Sequence, residues 1–178
     1  MPQPRRDDYL VELAEATEGI DPGVESMVEA IASLKRSGNR LWILGNGGSL
    51  ALAQHFAQDL LKAHGIRAQC LNDPSVITAY ANDHSFDYCF FAPLRELADK
   101  GDGVLIFSVS GKSRNYVEFA SQGFHPLLAV VGSDGGFLLE KSDHAVHIRS
   151  GDYALCETAF SMVADLISAG LEERCRRL

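Results

Sequence analysis

Leu41-Trp42-Ile43-Leu44-Gly45-Asn46-Gly47-Gly48-Ser49 decides how the rest of the chain is read. Four apolar residues in a row make a short strand buried on both faces, and the Gly/Ser turn after it opens a run with helical spacing. The same succession recurs at Val104-Leu105-Ile106-Phe107, followed by Ser108-Val109-Ser110-Gly111-Lys112-Ser113. A strand, a Gly/Ser turn and a helix N-terminus together aim backbone N–H groups at one spot, which suits a phosphate. Two such turns on one sheet predict a phosphorylated small molecule held between them.

Outward from these turns, strands and helices alternate. After the first strand (41–44) the spacing predicts a helix over 50–63 and a strand over 66–71. A helix over 86–98 follows, with Pro93 as its weak point, and the second quoted strand covers 104–107. Beyond it come a helix over 114–121, a strand over 127–131, a short helix over 135–140 capped by Ser133-Asp134-Gly135-Gly136, a strand over 145–148 and a closing helix over 154–174. Short apolar strands between helices argue for an α/β protein whose parallel sheet is covered on both faces. Ligands in such sheets bind outside the carboxyl ends of the strands, where both Gly/Ser turns lie.

Toward the N-terminus the chain reads as a helical pair over 1–38. Leu10, Leu13 and Ala14 recur at helical spacing, and Asp21-Pro22 reads as an N-cap followed by proline at the first helical position. Val24, Met27, Val28, Ile31 and Leu34 then mark one apolar face, and Gly38 stops the helix. A leading helix with an apolar face must bury it somewhere, and an interface with a partner subunit is one place.

Composition sets outer bounds. A chain of 178 residues with 46% hydrophobic residues reads as one domain, 1–178, with a sizeable core. A net charge of -8 provides no overall basic field to draw it to nucleic acid or to an anionic membrane. Cys70, Cys89, Cys156 and Cys175 form no CxxC pair, which suits a reducing compartment. The start has no signal-peptide pattern, and no apolar run approaches the roughly 20 residues that span a bilayer. A cytoplasmic protein is expected.

Neither turn is a nucleotide motif. Gly45-Asn46-Gly47 begins like a dinucleotide fingerprint, but Leu50 takes the third glycine position and no acidic residue follows at the right distance. Gly111-Lys112-Ser113 ends like a P-loop, but the earlier glycine falls at Ile106, inside a strand. The serine turn suits a phosphate cradle: Ser108, Ser110 and Ser113 carry hydroxyl donors, and Gly111 lets the backbone approach an anion. A following helix dipole would add about 0.3–1 kcal/mol at an exposed site.

Gly-Asn-Gly-Gly-Ser at 45–49, Ala-Gln-His-Phe-Ala at 53–57, Thr-Ala-Tyr-Ala-Asn-Asp at 78–83 and Ser-x-Ser-Gly-x-Ser at 108–113 follow one another in this order. The order resembles the sugar isomerase (SIS) domain, and within it the branch that isomerises sedoheptulose 7-phosphate. The resemblance implies a flavodoxin-like three-layer α/β/α sandwich, a homotetramer with sites at subunit interfaces, and a sugar phosphate ligand. By the same likeness Ser108, Ser110 and Ser113 hold the phosphate, Asn46, Gly47 and Ser49 contact the sugar, and Asp83 binds sugar hydroxyls. Unaided by the family, Asn82-Asp83 reads as a turn.

Aldose–ketose interconversion needs a base to take the proton beside the carbonyl and an acid to return it to the neighbouring carbon. His55 and Asp59 stand four apart, on one helix face. The resemblance implies a His and a Glu there, with the carboxylate as base, so Asp59 is one methylene short. It also implies Gln-Glu followed seven residues later by a His that serves as acid and metal ligand; Cys156-Glu157 and Ala164 occupy those positions here. The expected catalytic residues are therefore Asp59, His55 and Glu157. His84 follows Asp83 and is within reach of the same ligand, whereas His64, His125, His144 and His147 read as structural or solvated. His55, Asp59 and Cys156 are also competent zinc ligands, which raises zinc as a cofactor. With the second histidine replaced by Ala164, a non-catalytic module that binds a sugar phosphate or a protein, as in the replication-initiator-associating members, is the alternative to an isomerase.

Overall fold

The computed structural model describes residues 5–175; Met1–Pro4 and Arg176–Leu178, the two ends of the span read as one domain, lie outside the described residues. Five parallel strands form one sheet: β1 (Leu41–Gly45), β2 (Ala68–Cys70), β3 (Gly103–Ser108), β4 (Leu127–Val131) and β5 (His144–His147). Their order is β2-β1-β3-β4-β5, the flavodoxin-like arrangement that the resemblance implies. The winding reverses between β1 and β3, which pair from Leu41↔Gly103 to Gly45↔Phe107. That register sets the two Gly/Ser turns side by side, at the crevice where doubly wound sheets bind ligands.

Strand alternation divides the core in two. Leu41, Ile43, Leu105, Phe107, Leu128 and Val130 face one helical layer, formed by α1 (Arg6–Ala16), α2 (Asp21–Ser37), α3 (Gly48–His64) and α8 (Tyr153–Cys175). Trp42, Leu44, Val104, Ile106, Leu127 and Ala129 face the other, formed by α4 (Pro74–Asp83), α5 (Phe91–Leu97), α6 (Val117–Ser121) and α7 (Gly136–Lys141). Both faces are covered, so the strands read as unbroken apolar runs. Below the sheet, buried Asp102 accepts from Arg40 N at 2.7 Å, Trp42 Nε1 at 3.0 Å and Asp99 N at 3.1 Å. This carboxylate fastens the amino ends of β1 and β3, opposite the turns.

Some elements differ from the sequence reading. Helix α4 was not expected at all. The helix expected over 86–98 is a 3₁₀ turn (Phe86–Tyr88) followed by the short α5, and that over 114–121 is a 3₁₀ turn (Arg114–Tyr116) followed by the five-residue α6. Asp21 is the first helical residue of α2 and Ile20 its N-cap, with no capping side chain; Gly38 ends the helix at φ 74 as expected. Helix α8, with 23 residues and a stretch of mean hydropathy 1.4, is long and apolar enough to cross a membrane. Its Leu155, Phe160, Val163, Ile167 and Leu171 are buried in the first core layer, the placement of a core helix.

Candidate active site

The turn after β1 starts a 17-residue helix, α3. The first N–H groups of such a helix lack intrahelical partners and carry a partial positive charge. The Glu157 carboxylate, from α8, lies directly over Gly48 at this end, so close that a Cβ on Gly48 would overlap it. The helix terminus therefore already faces an anionic side chain.

The turn after β3 is built differently. Ser108 Oγ accepts from Gly111 N at 3.1 Å and Ser110 Oγ accepts from Lys112 N at 3.2 Å. Two N–H groups are thereby turned inward, and the serine hydroxyl protons are the donors left to face outward. Gly111 has φ 61, and a Cβ there would run into Gly135 O, so the serine turn is wedged against the turn that opens α7. Lys112 Nζ pairs with Asp134 Oδ2 of that neighbouring turn at 2.6 Å, and this hydrogen bond holds the Asp134 carboxyl below the usual carboxylate range. The helix dipole expected behind this turn falls away, because the 3₁₀ turn and the five-residue α6 are too short to supply one.

Asn46, Ser49, Ser108, Ser110 and Ser113 line one pocket of about 150 Å³, together with Glu157. Tyr116 and Tyr153 complete its wall. The sequence reading missed both tyrosines. It also missed Asn115, whose buried amide pairs with Asn46. Tyr153 is the first residue of α8 and 65% exposed, so no apolar period marks it.

The remaining predicted residues stand elsewhere. Gly47 is exposed on the turn and does not line the pocket. Asp83 is exposed at the end of α4 and accepts from Asn82 Nδ2 at 2.9 Å. His84, just beyond, is exposed and lies 5.8 Å from the Tyr80 ring. His55 Nε2 and Asp59 Oδ2 pair at 3.2 Å on the outer face of α3, with the imidazole side chain 69% exposed. At the rise of an α-helix they lie roughly 10 and 16 Å along the axis from Gly48. One chain does not bring His55, Asp59 and Glu157 into a single pocket.

The expected zinc set is not assembled either. Cys156 is fully buried, donates its Sγ–H to Ser150 O at 3.1 Å and sits against Gly132. Burial pushes its thiol pKa up, which disfavours the thiolate that a metal requires. Ala164, in the core, offers no ligand. Among the described residues no three His, Cys, Asp or Glu side chains stand close enough to hold an ion, so His55, Asp59 and Cys156 do not fit the metal that the resemblance implies. His64, expected as a helix-end cation, is buried with its Nε2 2.8 Å from Ser168 Oγ, and burial lowers its pKa. His147 Nε2 donates to Ser133 O at 2.8 Å and props the turn before α7.

Comparison with known proteins agrees with this arrangement. The SIS domain profile matches residues 8–132. The chain is 34% identical over 174 residues to a phosphoheptose isomerase of Geobacter metallireducens, covering 90% of this chain and 92% of that one. A phosphoheptose isomerase of Geobacter sulfurreducens is 34% identical over 161 residues, with 83% and 85% covered. Among solved structures, phosphoheptose isomerase from Neisseria gonorrhoeae superposes with a TM-score of 0.85 at 25% identity over 93% of this chain and 94% of that one. The Francisella tularensis enzyme superposes with a TM-score of 0.86 over 94% of both chains, and at 23% identity it speaks for the fold alone.

Proposed function

We propose, because the chain belongs to the SIS domain family, that it isomerises a sugar phosphate, with sedoheptulose 7-phosphate and a heptose 7-phosphate as the ketose and aldose. The observation that carries this reading is the single pocket shared by the serine turn and Glu157. Ser108, Ser110 and Ser113 take the phosphate through their hydroxyls, and Asn46 and Ser49 meet the sugar. Glu157 at the N-terminus of α3 is too close in charge to admit a phosphate there, which leaves the serine turn as the anionic end.

The reading includes an assembly. A pocket of about 150 Å³ is smaller than the roughly 300–1,000 Å³ typical of small-molecule sites. His55 is exposed and Asp59 half-buried on α3, away from their own chain's pocket. Both facts support a homo-oligomer of single-domain chains, a homotetramer by the family likeness, in which the partner subunit's His55 and Asp59 complete the site. The apolar face of α2 is buried in its own chain's core and gives no ground for the expected interface role of the 1–38 helices. Asp59 then removes the proton beside the carbonyl while His55 hands a proton to the carbonyl oxygen, which gives an enediol. Glu157 takes the proton of the other enediol hydroxyl as Asp59 returns its proton to the adjacent carbon. Asn46 Nδ2 and the Ser49 hydroxyl donate to the developing enediolate oxygen. No step is routed through a metal. Four cysteines without disulfide partners support a cytoplasmic location.

An NMR or coupled assay with sedoheptulose 7-phosphate tests the reading. Turnover is expected, with a loss of about 10²–10⁴ in kcat for Asp59→Ala or Glu157→Gln. Ser110→Ala is expected to weaken binding of the substrate and of inorganic phosphate alike. Buried Cys156 and Ala164 favour one rival, a non-catalytic sugar-phosphate or protein-binding module. Tight binding with no turnover by the assembled protein would establish that rival and overturn the isomerase.

A further inference from the structure

Asn115 is a buried polar residue with 1% exposure that does not itself line the pocket. Its amide pairs with Asn46 in both directions: Asn115 Nδ2 donates to Asn46 Oδ1 at 2.9 Å, and Asn46 Nδ2 donates to Asn115 Oδ1 at 3.2 Å. Asn46 belongs to the turn after β1 and Asn115 to the 3₁₀ turn behind the serine turn of β3, so the pair spans the crevice. Asn115 Nδ2 also lies 3.9 Å from Cys89 Sγ, a weak acceptor that keeps the nitrogen on that side.

A side-chain amide has two N–H donors and two carbonyl lone pairs. The pairing uses one of each on Asn46. One donor and one acceptor remain on Asn46, which is half-buried and lines the pocket. Without Asn115 the Asn46 amide is free to rotate, and neither group has a fixed direction. A tie that merely joined the two turns would need no polar atoms, since Leu44 and Ile106 already pack beneath them.

We propose that Asn115 is a positioning residue that acts through Asn46. It fixes the direction of the one Asn46 N–H left free by the pairing, a donor for the hydroxyl-bearing end of a phosphate ester anchored by the serine turn. The pair thereby favours esters that carry an oxygen function within reach of that donor over simple phosphate. This rests on the sugar phosphate reading of the same pocket.

Calorimetric titration of the assembled wild-type, Asn46→Ala, Asn115→Ala and doubly substituted proteins with inorganic phosphate and with sedoheptulose 7-phosphate tests it. Asn115→Ala is expected to weaken the sugar ester on the order of tenfold, about one charge-neutral hydrogen bond, and to leave inorganic phosphate within twofold. In the Asn46→Ala background the same substitution is expected to add nothing, the signature of action through one partner. Asn115→Ser, which is uncharged and too short to reach Asn46, is expected to reproduce the pattern if the alanine variant does not fold. Additive losses, or equal losses for both ligands, overturn the proposal as a general collapse of the turns. Equal affinity of the wild-type and Asn115→Ala proteins for the ester overturns it while sparing the isomerase reading. A wild-type protein that binds inorganic phosphate and not the ester overturns both.

Discussion

Gly48 serves the site by lacking a side chain. A methyl group there would push Glu157 off the start of α3, and the obstacle is the flexible end of a long side chain rather than backbone. Alanine also suits a helix better than glycine by up to about 1 kcal/mol. Gly48→Ala is therefore expected to leave stability unchanged or raise it by up to that amount, while turnover falls at least about tenfold as one hydrogen-bond-scale placement is lost. Urea denaturation beside the isomerase assay separates the two effects, and a parallel fall in both would mean that the turn itself had broken. At this scale the sequence was legible where chemistry is local. Ser108, Ser110, Ser113, Asn46 and Ser49 do meet in one pocket, because strand-turn geometry places them within a few residues of a strand end. Asn115 and Tyr153 were invisible because their roles depend on which element stands opposite, and no spacing encodes that.

Helix α4 shows what a periodicity reading loses at the scale of an element. None of its residues is buried, so it has no fully apolar stripe to betray it. Its start was nonetheless written in the chain: Asp73 precedes Pro74, and Asp73 Oδ1 accepts from Ser75 N at 2.8 Å and from Val76 N at 3.3 Å. The same Asp-Pro pair misled at Asp21, where proline is inside α2 but the aspartate caps nothing. Asp73→Ala is expected to cost about 1 kcal/mol, the usual worth of an N-cap, and to loosen α4 alone. Amide hydrogen exchange should quicken over 75–79 and stay unchanged in β1 and β3; faster exchange in the strands would show that α4 supports the whole sheet. β1, β3 and β4 were legible because burial on both faces leaves them continuous apolar runs, which β2, at three residues, and β5, with a histidine at each end, fall short of.

For the molecule as a whole, His64 ties stability to pH. Burial between α3 and α8 lowers its pKa; Lys35 lowers it further, and Glu172 and Asp59 pull the other way without reversing the shift. The unfolded chain takes up a proton at the ordinary histidine value, so it binds more protons than the folded chain just below about pH 6.5. The contribution of neutral His64 is fully present above that value and is lost as pH falls through the folded pKa. Melting temperature is expected to decline from pH 7 to pH 5, and less steeply for His64→Gln, which keeps a partner for Ser168. Identical slopes would assign the decline to other groups. The global arrangement was legible up to the limit of one chain. The order of strands and turns follows from local signals and family likeness, whereas the part that His55 and Asp59 play depends on the proposed assembly, which no local signal encodes.

The carboxylate parked over α3 also acts as a polarity filter. A doubly charged ester drawn toward the crevice meets hydroxyls on one rim and a resident negative charge on the other, so it can settle tail-first in one sense only. On the sugar phosphate reading, a sugar carrying phosphate at both ends is expected to bind more weakly than a monoester, because one phosphate must face Glu157. That discrimination would act by repulsion, before any hydroxyl of the sugar has been inspected.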